Sequence, residues 1–175
     1  MTPILANVGV PMIFPQLMLM ALAFAPVVLV EALLVRKAMG LTFGRALRDV
    51  AVANLWTTVL GVPLAWAFMF ILELIGTGGA ALAVDSPARL LVAVTSQAAW
   101  LGPYEGHLVW MVPAAATVLL LPCFVASLLI ERWVLSRRWA DRDRKAVFGA
   151  VLRANVWSYV FLFLAGSLWT GISFK

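Results

Sequence analysis

The chain has 175 residues, of which 64% are hydrophobic and 12% are charged, and its formal net charge is +5 at pH 7. So few polar residues cannot cover the apolar surface of a soluble globule of this size. The composition therefore predicts a protein that is solvated by lipid. The single cysteine, Cys123, excludes an intramolecular disulfide.

Four segments are long and apolar enough to cross a bilayer as helices, which takes about 20 residues each. Within them polar and apolar residues do not alternate, which favours helices over the strands of a closed barrel. A shorter apolar stretch, 90–100, is interpreted as an external interfacial or re-entrant helix. We therefore predict an all-α integral membrane four-helix bundle, in a single domain over 1–175. The predicted spans are 13–35, 50–75, 108–135 and 147–172.

Most basic residues fall in two of the three connections between these segments. The positive-inside rule places both connections in the cytoplasm and both termini outside, which indicates a multi-pass protein of a bacterial inner membrane. The first segment has no basic stretch before it and no cleavage pattern after it, so it is predicted to be retained. Anionic lipid headgroups account for the cations, and nucleic-acid binding is not expected. The cations are Arg36, Lys37, Arg45 and Arg48 in the first connection, and Arg132, Arg137, Arg138, Arg142, Arg144, Lys145 and Arg153 in the third.

A pattern of one glutamate and one asparagine occurs twice. Glu31 and Glu131, 100 residues apart, each end an aliphatic run near the cytoplasmic end of an odd-numbered helix. Asn54 and Asn155, 101 residues apart, are each followed by an apolar residue, a tryptophan and a hydroxyl residue in that order. This recurrence predicts two parallel helical-hairpin repeats, related by an axis along the membrane normal. The two repeats and the external segment between them are about 12–76, 108–173 and 77–107.

Polar side chains are costly inside a bilayer, so the main candidate site is the quartet of Glu31, Asn54, Glu131 and Asn155. Two interpretations remain open at this point. In the first, each glutamate hydrogen-bonds to its asparagine, or to an adjacent arginine such as Arg36 or Arg132, and fastens a hairpin. In the second, the quartet binds a proton or a cation between the repeats. Contacts with lipid or a partner are a further alternative.

Neither a metal site nor a catalytic cluster is predicted. The external sequence Tyr104-Glu105-Gly106-His107 offers one histidine and one glutamate, whereas a structural metal site normally takes three or four ligands. We therefore expect no cofactor. The sequence lacks a clustered nucleophile or ligand set, so the chain is not predicted to be an enzyme.

Tryptophans lie near both ends of the predicted spans. Indole rings prefer the depth of the lipid headgroups, where the apolar ring and the polar N–H group are both solvated. The sequence therefore predicts anchoring belts and not a ligand cage. Their members are Trp100, Trp110 and Trp169 at the outer boundary and Trp133 and Trp139 at the inner one.

Several residues of the first half share one further pattern: Phe14-Pro15, Pro26, Val30-Glu31-Ala32, Arg36, Leu41-Thr42, Asn54 and Gly61. Together they resemble the cyanobacterial filament-integrity proteins of the septal-junction type, which are small multi-helix inner-membrane proteins without enzymatic motifs. The resemblance implies a structural component at cell–cell contacts, associated with the intercellular exchange of small molecules.

The leading functional prediction is a non-enzymatic structural or assembly subunit of the inner membrane. Its expected partners are anionic lipid headgroups and other membrane proteins or further copies of the chain. The first alternative is a small ion or solute transporter or channel that uses the quartet after oligomerisation. A lipid-acting enzyme at the membrane face is the least favoured alternative.

Overall fold

The computed structural model describes residues 10–61 and 105–173, with 63–64, 67–68, 71, 75, 86–88, 91 and 94 between them. All regular elements in these residues are helical, which confirms the all-α prediction for this part of the chain. Of the predicted interfacial helix at 90–100, only Leu91 and Val94 are described. The elements are α1 (Val10–Met39), α2 (Phe43–Trp56) with a π-helical turn (Thr57–Gly61) directly after it, α3 (Glu105–Arg138) and α4 (Arg144–Ser173).

A tight turn between α1 and α2 closes the first hairpin. Gly40 has a φ of 62°, the left-handed conformation that glycine adopts without a Cβ penalty. The backbone N–H of Leu41 donates to the carbonyl of Arg36 at 3.2 Å. This bond between residues five positions apart is typical of a Schellman helix end. Only Leu41 and Thr42 separate Gly40 from the start of α2.

The turn between α3 and α4 closes the second hairpin. The Asp143 side chain accepts a hydrogen bond from the backbone N–H of Ala146 at 2.9 Å and caps the start of α4. The helices on both sides of each turn extend beyond the predicted spans; α2, for example, begins at Phe43 and not near Val50. Hydropathy marks only the apolar part of a helix, whereas a helix continues through charged residues as long as its backbone hydrogen bonds continue.

The chain divides into two compact units. The hairpin unit consists of Ala21–Ala65 and Leu120–Phe163, and the terminal unit of Met1–Met20, Trp66–Leu119 and Leu164–Lys175. In the hairpin unit, all four helices contribute to one apolar core. Its fully buried members include Ala32, Val35, Ala46, Val50, Ala53, Leu135, Val147, Val151 and Ala154. In the terminal unit, Val94, Met111 and Ala115 form a smaller cluster.

Two helical segments among the described residues, Pro113–Arg138 and Arg144–Leu168, are long and apolar enough to cross a membrane. Only 17% of the most apolar stretch of the first segment is buried. In the core helix of a soluble protein, most of such a stretch would be buried. The outward apolar face of α3 is continuous, with Leu121, Val125, Leu129 and Trp133 exposed at four-residue intervals.

Candidate functional site

The structure joins each glutamate of the quartet to the asparagine of its own hairpin. The Asn54 Nδ2 group donates to Glu31 Oε2 at 2.6 Å, and the Asn155 Nδ2 group donates to Glu131 Oε2 at 2.7 Å. Each amide also donates to the carbonyl one turn earlier in its helix, Val50 or Val151, at 3.2 Å. All four side chains are buried, so each contact replaces water as the partner of a polar group.

Two hydroxyl groups extend this network from one hairpin to the other. The Ser158 hydroxyl of α4 donates to Glu31 Oε1 of α1 at 2.6 Å. The Thr57 hydroxyl, at the start of the π-helical turn, donates to the Ala53 carbonyl at 3.2 Å and lies near the Glu131 carboxyl of α3. Each glutamate therefore accepts a bond from the asparagine of its own hairpin, and Glu31 accepts a second bond from a hydroxyl of the other hairpin. We call these six residues the polar cluster.

The arginines that the sequence offers as partners of the glutamates lie elsewhere. The Arg132 guanidinium stacks over the ring of Phe148, 4.9 Å from its centroid. Within the described part of the chain, every ion pair involves Asp49 or Asp141, and neither glutamate is paired with a cation. Glu31 and Glu131 are nevertheless close enough for their charges to interact. The polar cluster therefore contains two buried carboxyl groups and no basic side chain.

One acceptor of the polar cluster has no partner. Asn155 is 0% exposed, and its Oδ1 is a buried atom without a hydrogen bond. Both Nδ2 hydrogens are used, by the Glu131 carboxyl and the Val151 carbonyl. Flipping the amide would place Oδ1 against these two acceptors, so the orientation is fixed by its surroundings. Oδ1 is thus a buried acceptor, on a side chain of the polar cluster, that has no donor.

A second polar layer lies next to the cluster in the hairpin unit. The hydroxyl groups of Ser127 on α3 and Tyr159 on α4 are 2.7 Å apart and share a hydrogen bond. The Tyr159 ring packs edge-on against Phe124, with 5.2 Å between the ring centroids. Cys123 is half-buried on the same stretch of α3. These contacts tie α3 to α4 beyond the quartet.

A charged contact joins α2 to the end of α3. Asp49 is a residue of α2, directly before the predicted second span, and is 2% exposed. Its Oδ1 accepts hydrogen bonds from Arg138 Nε at 2.9 Å and Nη2 at 2.7 Å. Its Oδ2 accepts one from the indole N–H of Trp139 at 2.8 Å. Burial acts to raise the pKa of this carboxyl, but the bonds from Trp139 and Arg138 and the nearby charges outweigh it and hold the pKa below its usual value.

Sequence reasoning missed this contact and the hydroxyl groups. Asp49 is an acid among arginines at the start of α2, and this isolated opposite charge was the available signal. The hydroxyl that recurs after each Asn-x-Trp belongs to the repeat pattern, but that pattern does not predict the bond from Ser158 to Glu31. Trp139 does not lie in an exposed belt as predicted. Its side chain is 1% exposed, and its indole N–H donates to Asp49.

The basic residues that were assigned to loops lie mostly at helix ends. Arg36 and Lys37 are in the last turn of α1, Arg45 and Arg48 in α2, Arg137 and Arg138 in the last turn of α3, and Arg144 and Lys145 at the start of α4. Of the eleven cations assigned to the connections, only Arg142 lies outside a helix. The Arg137 guanidinium stacks over the half-exposed ring of Trp133 at 4.1 Å. The cations therefore lie mostly on the helical turns next to the two connections that close the hairpins.

The external sequence Tyr104-Glu105-Gly106-His107 lies outside the residues whose side chains are described. Among the described residues, no group of three or more histidine, cysteine, aspartate or glutamate side chains is arranged to hold a metal ion. No protein-family model, curated protein or solved structure matches the chain.

Proposed function

We propose that the protein is a non-enzymatic structural or assembly subunit of a bacterial inner membrane, in which the polar cluster joins two helical hairpins. The observation that carries the proposal is the bond from Ser158 to Glu31, which crosses from the second hairpin to the first at 2.6 Å. Glu31 also accepts a bond from Asn54 at 2.6 Å. Each of its oxygens therefore accepts one hydrogen bond from the protein, as expected for a packing contact.

The distribution of polarity supports a four-helix membrane bundle with cytoplasmic turns and external termini. Polar side chains occupy the interior of the hairpin unit, while leucine, valine, phenylalanine and tryptophan side chains cover its outside. Lipid tails solvate such a surface, whereas water would not. The cations at the turn ends suit anionic headgroups on the cytoplasmic side.

The burial pattern supports a parallel duplication of the hairpin. Residues 101 positions apart in α2 and α4 are buried in both helices, and Asn54 and Asn155 each follow the first residue of their helix by the same number of positions. A common ancestor of the hairpins explains why the same register recurs. The matching buried pairs are Ala46 with Val147, Val50 with Val151, and Ala53 with Ala154.

The exposed faces supply surfaces for partners within the membrane. The stripe of Leu121, Val125, Leu129 and Trp133 on α3 is available to lipid, to a second copy or to another membrane protein. A role at cell–cell junctions, in which the partner belongs to a neighbouring assembly, is proposed only on the sequence resemblance of the first half.

The test is a comparison of Ser158→Ala with Ser167→Ala, which removes an exposed hydroxyl from the same helix. Each variant is purified in mild detergent and unfolded by titration with a denaturing detergent, with helicity as the readout. We expect Ser158→Ala to lower the free energy of unfolding by about 1–2 kcal/mol, because a buried acceptor loses its donor. Equal stability of the two variants would contradict the proposed join.

A flux assay separates this proposal from the transporter alternative. Wild-type protein and the Glu31→Gln/Glu131→Gln variant are reconstituted into liposomes that report proton or cation entry. We expect no flux above protein-free liposomes for either protein. Wild-type flux that the double substitution abolishes would replace the structural proposal with a transport function.

A further inference from the structure

The polar cluster has a charge requirement that its hydrogen bonds do not meet. Glu31 is 1% exposed and Glu131 is 2% exposed. Two ionised carboxylates in one buried site repel each other and lack the solvation of water. Among the described residues no arginine or lysine is paired with either of them. The described residues therefore supply no positive charge that would balance two ionised carboxylates in this site.

The unpartnered amide oxygen points independently to the same missing group. Asn155 Oδ1 is buried, its orientation is fixed, and it accepts no hydrogen bond from the protein. An acceptor in this state costs free energy unless a donor or a cation occupies the space beside it. The other nearby groups are oxygen ligands as well, namely the hydroxyls of Thr57 and Ser158. Oxygen donors suit a proton or a hard cation.

We propose that Glu31, Glu131 and Asn155 Oδ1 together bind one monovalent cation, a proton or a dehydrated sodium ion, between the two hairpins. A single positive charge leaves the site with one net negative charge in place of two. It also supplies the partner that Asn155 Oδ1 lacks. This inference rests on the proposed role of the polar cluster as the join between the hairpins, and it makes that join dependent on a bound ion.

Other titratable groups near the pair must be separated from it in any measurement. Tyr159 of α4 and Cys123 of α3 interact electrostatically with each other, and Tyr159 also with both glutamates. From α2, the facing groups are the uncharged Asn54 and Thr57. The measurements therefore use a Cys123→Ser/Tyr159→Phe background beside the wild type.

The experiment measures the thermal unfolding of purified protein at mildly acidic and mildly alkaline pH, in sodium chloride and in choline chloride of equal ionic strength. Glu131→Gln is the test variant, because its neutral amide removes one of the two charges. Asp141→Asn is the matched control, because the Asp141 side chain is 64% exposed in the turn. Bound ligand a hundredfold above its Kd stabilises a protein of this size by about 5 °C or more.

Stabilisation of the wild type by sodium over choline at alkaline pH, absent in Glu131→Gln, identifies sodium as the ion. Stabilisation by acidification in both salts, again absent in Glu131→Gln, identifies the proton. Both results support the proposal, and Asp141→Asn should behave as the wild type does. Equal responses of the wild type and Glu131→Gln, or no response to either ion, would overturn it.

Two further measurements keep the outcomes distinct. If Glu131→Gln does not fold, Glu31→Gln and the carboxyl infrared bands of the wild type, recorded across pH and sodium concentration, provide the same decision. Bands that change with neither ion would overturn the proposal. The stability of Ser158→Ala separates this inference from the proposed function. A destabilised Ser158→Ala with an ion-independent wild type refutes only the bound ion, whereas an undisturbed Ser158→Ala refutes the join itself.

Discussion

Replacing Asp49 by asparagine should weaken the contact between α2 and the end of α3. The substitution preserves the size of the side chain but removes its charge. It also places an amide N–H₂ group where one carboxylate oxygen accepted bonds from Arg138 or Trp139. Because Asp49 is 2% exposed, water cannot replace the lost partners.

The structure sets the size of the expected effect. Hydrogen bonds to a charged group contribute about 1.5–3 kcal/mol each, and removing one member of a fully buried ion pair costs about 3–5 kcal/mol. The Arg138 side chain is 33% exposed, so solvent screens part of its interaction with Asp49. We therefore expect Asp49→Asn to lower the free energy of unfolding by about 2–3 kcal/mol.

A double-mutant cycle assigns this loss to its partner. Asp49→Asn is combined with Arg138→Gln, and unfolding is followed by circular dichroism in mixed detergent micelles. We expect a coupling energy of about 1–2 kcal/mol for this pair. Arg48→Gln is the matched control, because the Arg48 side chain is 70% exposed and its Nε lies 3.4 Å from Asp49 Oδ1. A coupling to Arg138 no larger than the coupling to Arg48 would refute the reasoning.

Three further predictions concern pH and the glycines. The pKa of Asp49 is lowered in the folded state, so its contribution to stability is present above its unfolded pKa of about 3.9 and is lost as the pH falls from there through the folded-state pKa. Acid titration should therefore destabilise the wild type more than Asp49→Asn, and the same loss of stability with pH in both proteins would contradict this. A Cβ on Gly61 would meet α3 side chains at 3.6–3.7 Å, so Gly61→Leu should lower the free energy of unfolding by about 1–3 kcal/mol in the same assay, while Gly61→Ala remains close to the wild type. A leucine variant as stable as the wild type would show that α3 and the π-helical turn separate easily at Gly61. Gly40 has a φ of +62°, so Gly40→Ala should destabilise by about 1 kcal/mol, whereas Gly44→Ala, within α2, should not; equal effects in thermal unfolding would argue against the Schellman turn.

The sequence predicts the helical fold and the members of the quartet because both leave local signals. Long apolar runs determine where helices form, and a glutamate or asparagine inside such a run stands out against it. The pairing of Glu31 with Asn54 also follows from the short turn between α1 and α2, which places the two helices side by side. Spacing therefore supplies the candidate partners within one hairpin, and the structure selects the asparagines over the adjacent arginines.

Contacts between the hairpins cannot be predicted in this way. Ser158 is 127 positions from Glu31, and Trp139 is 90 positions from Asp49. Which helix faces meet over such separations depends on the packing of the whole hairpin unit. Ser158 belongs to the repeat pattern and Trp139 to the predicted inner belt, but neither pattern indicates a partner on another helix. The predicted spans also end before the helices do. A charged residue interrupts an apolar run in the sequence but does not interrupt the backbone hydrogen bonds of a helix.

The contacts at the two levels of the hairpin unit differ in what they specify. Under the proposed duplication, each hairpin carries a glutamate and a hydroxyl residue of the polar cluster, so a contact like that of Ser158 with Glu31 could also form between two copies of the same hairpin. Asp49 corresponds to Ala150 under the 101-residue offset, and Arg138 corresponds to Ala38 under the 100-residue offset, so neither like pairing contains both charges. The bonds of Asp49 with Arg138 and Trp139 can therefore form only between a first and a second hairpin. The polar cluster holds hairpins together, while Asp49 selects unlike hairpins as partners and disfavours the like pairing that the repeat would otherwise permit.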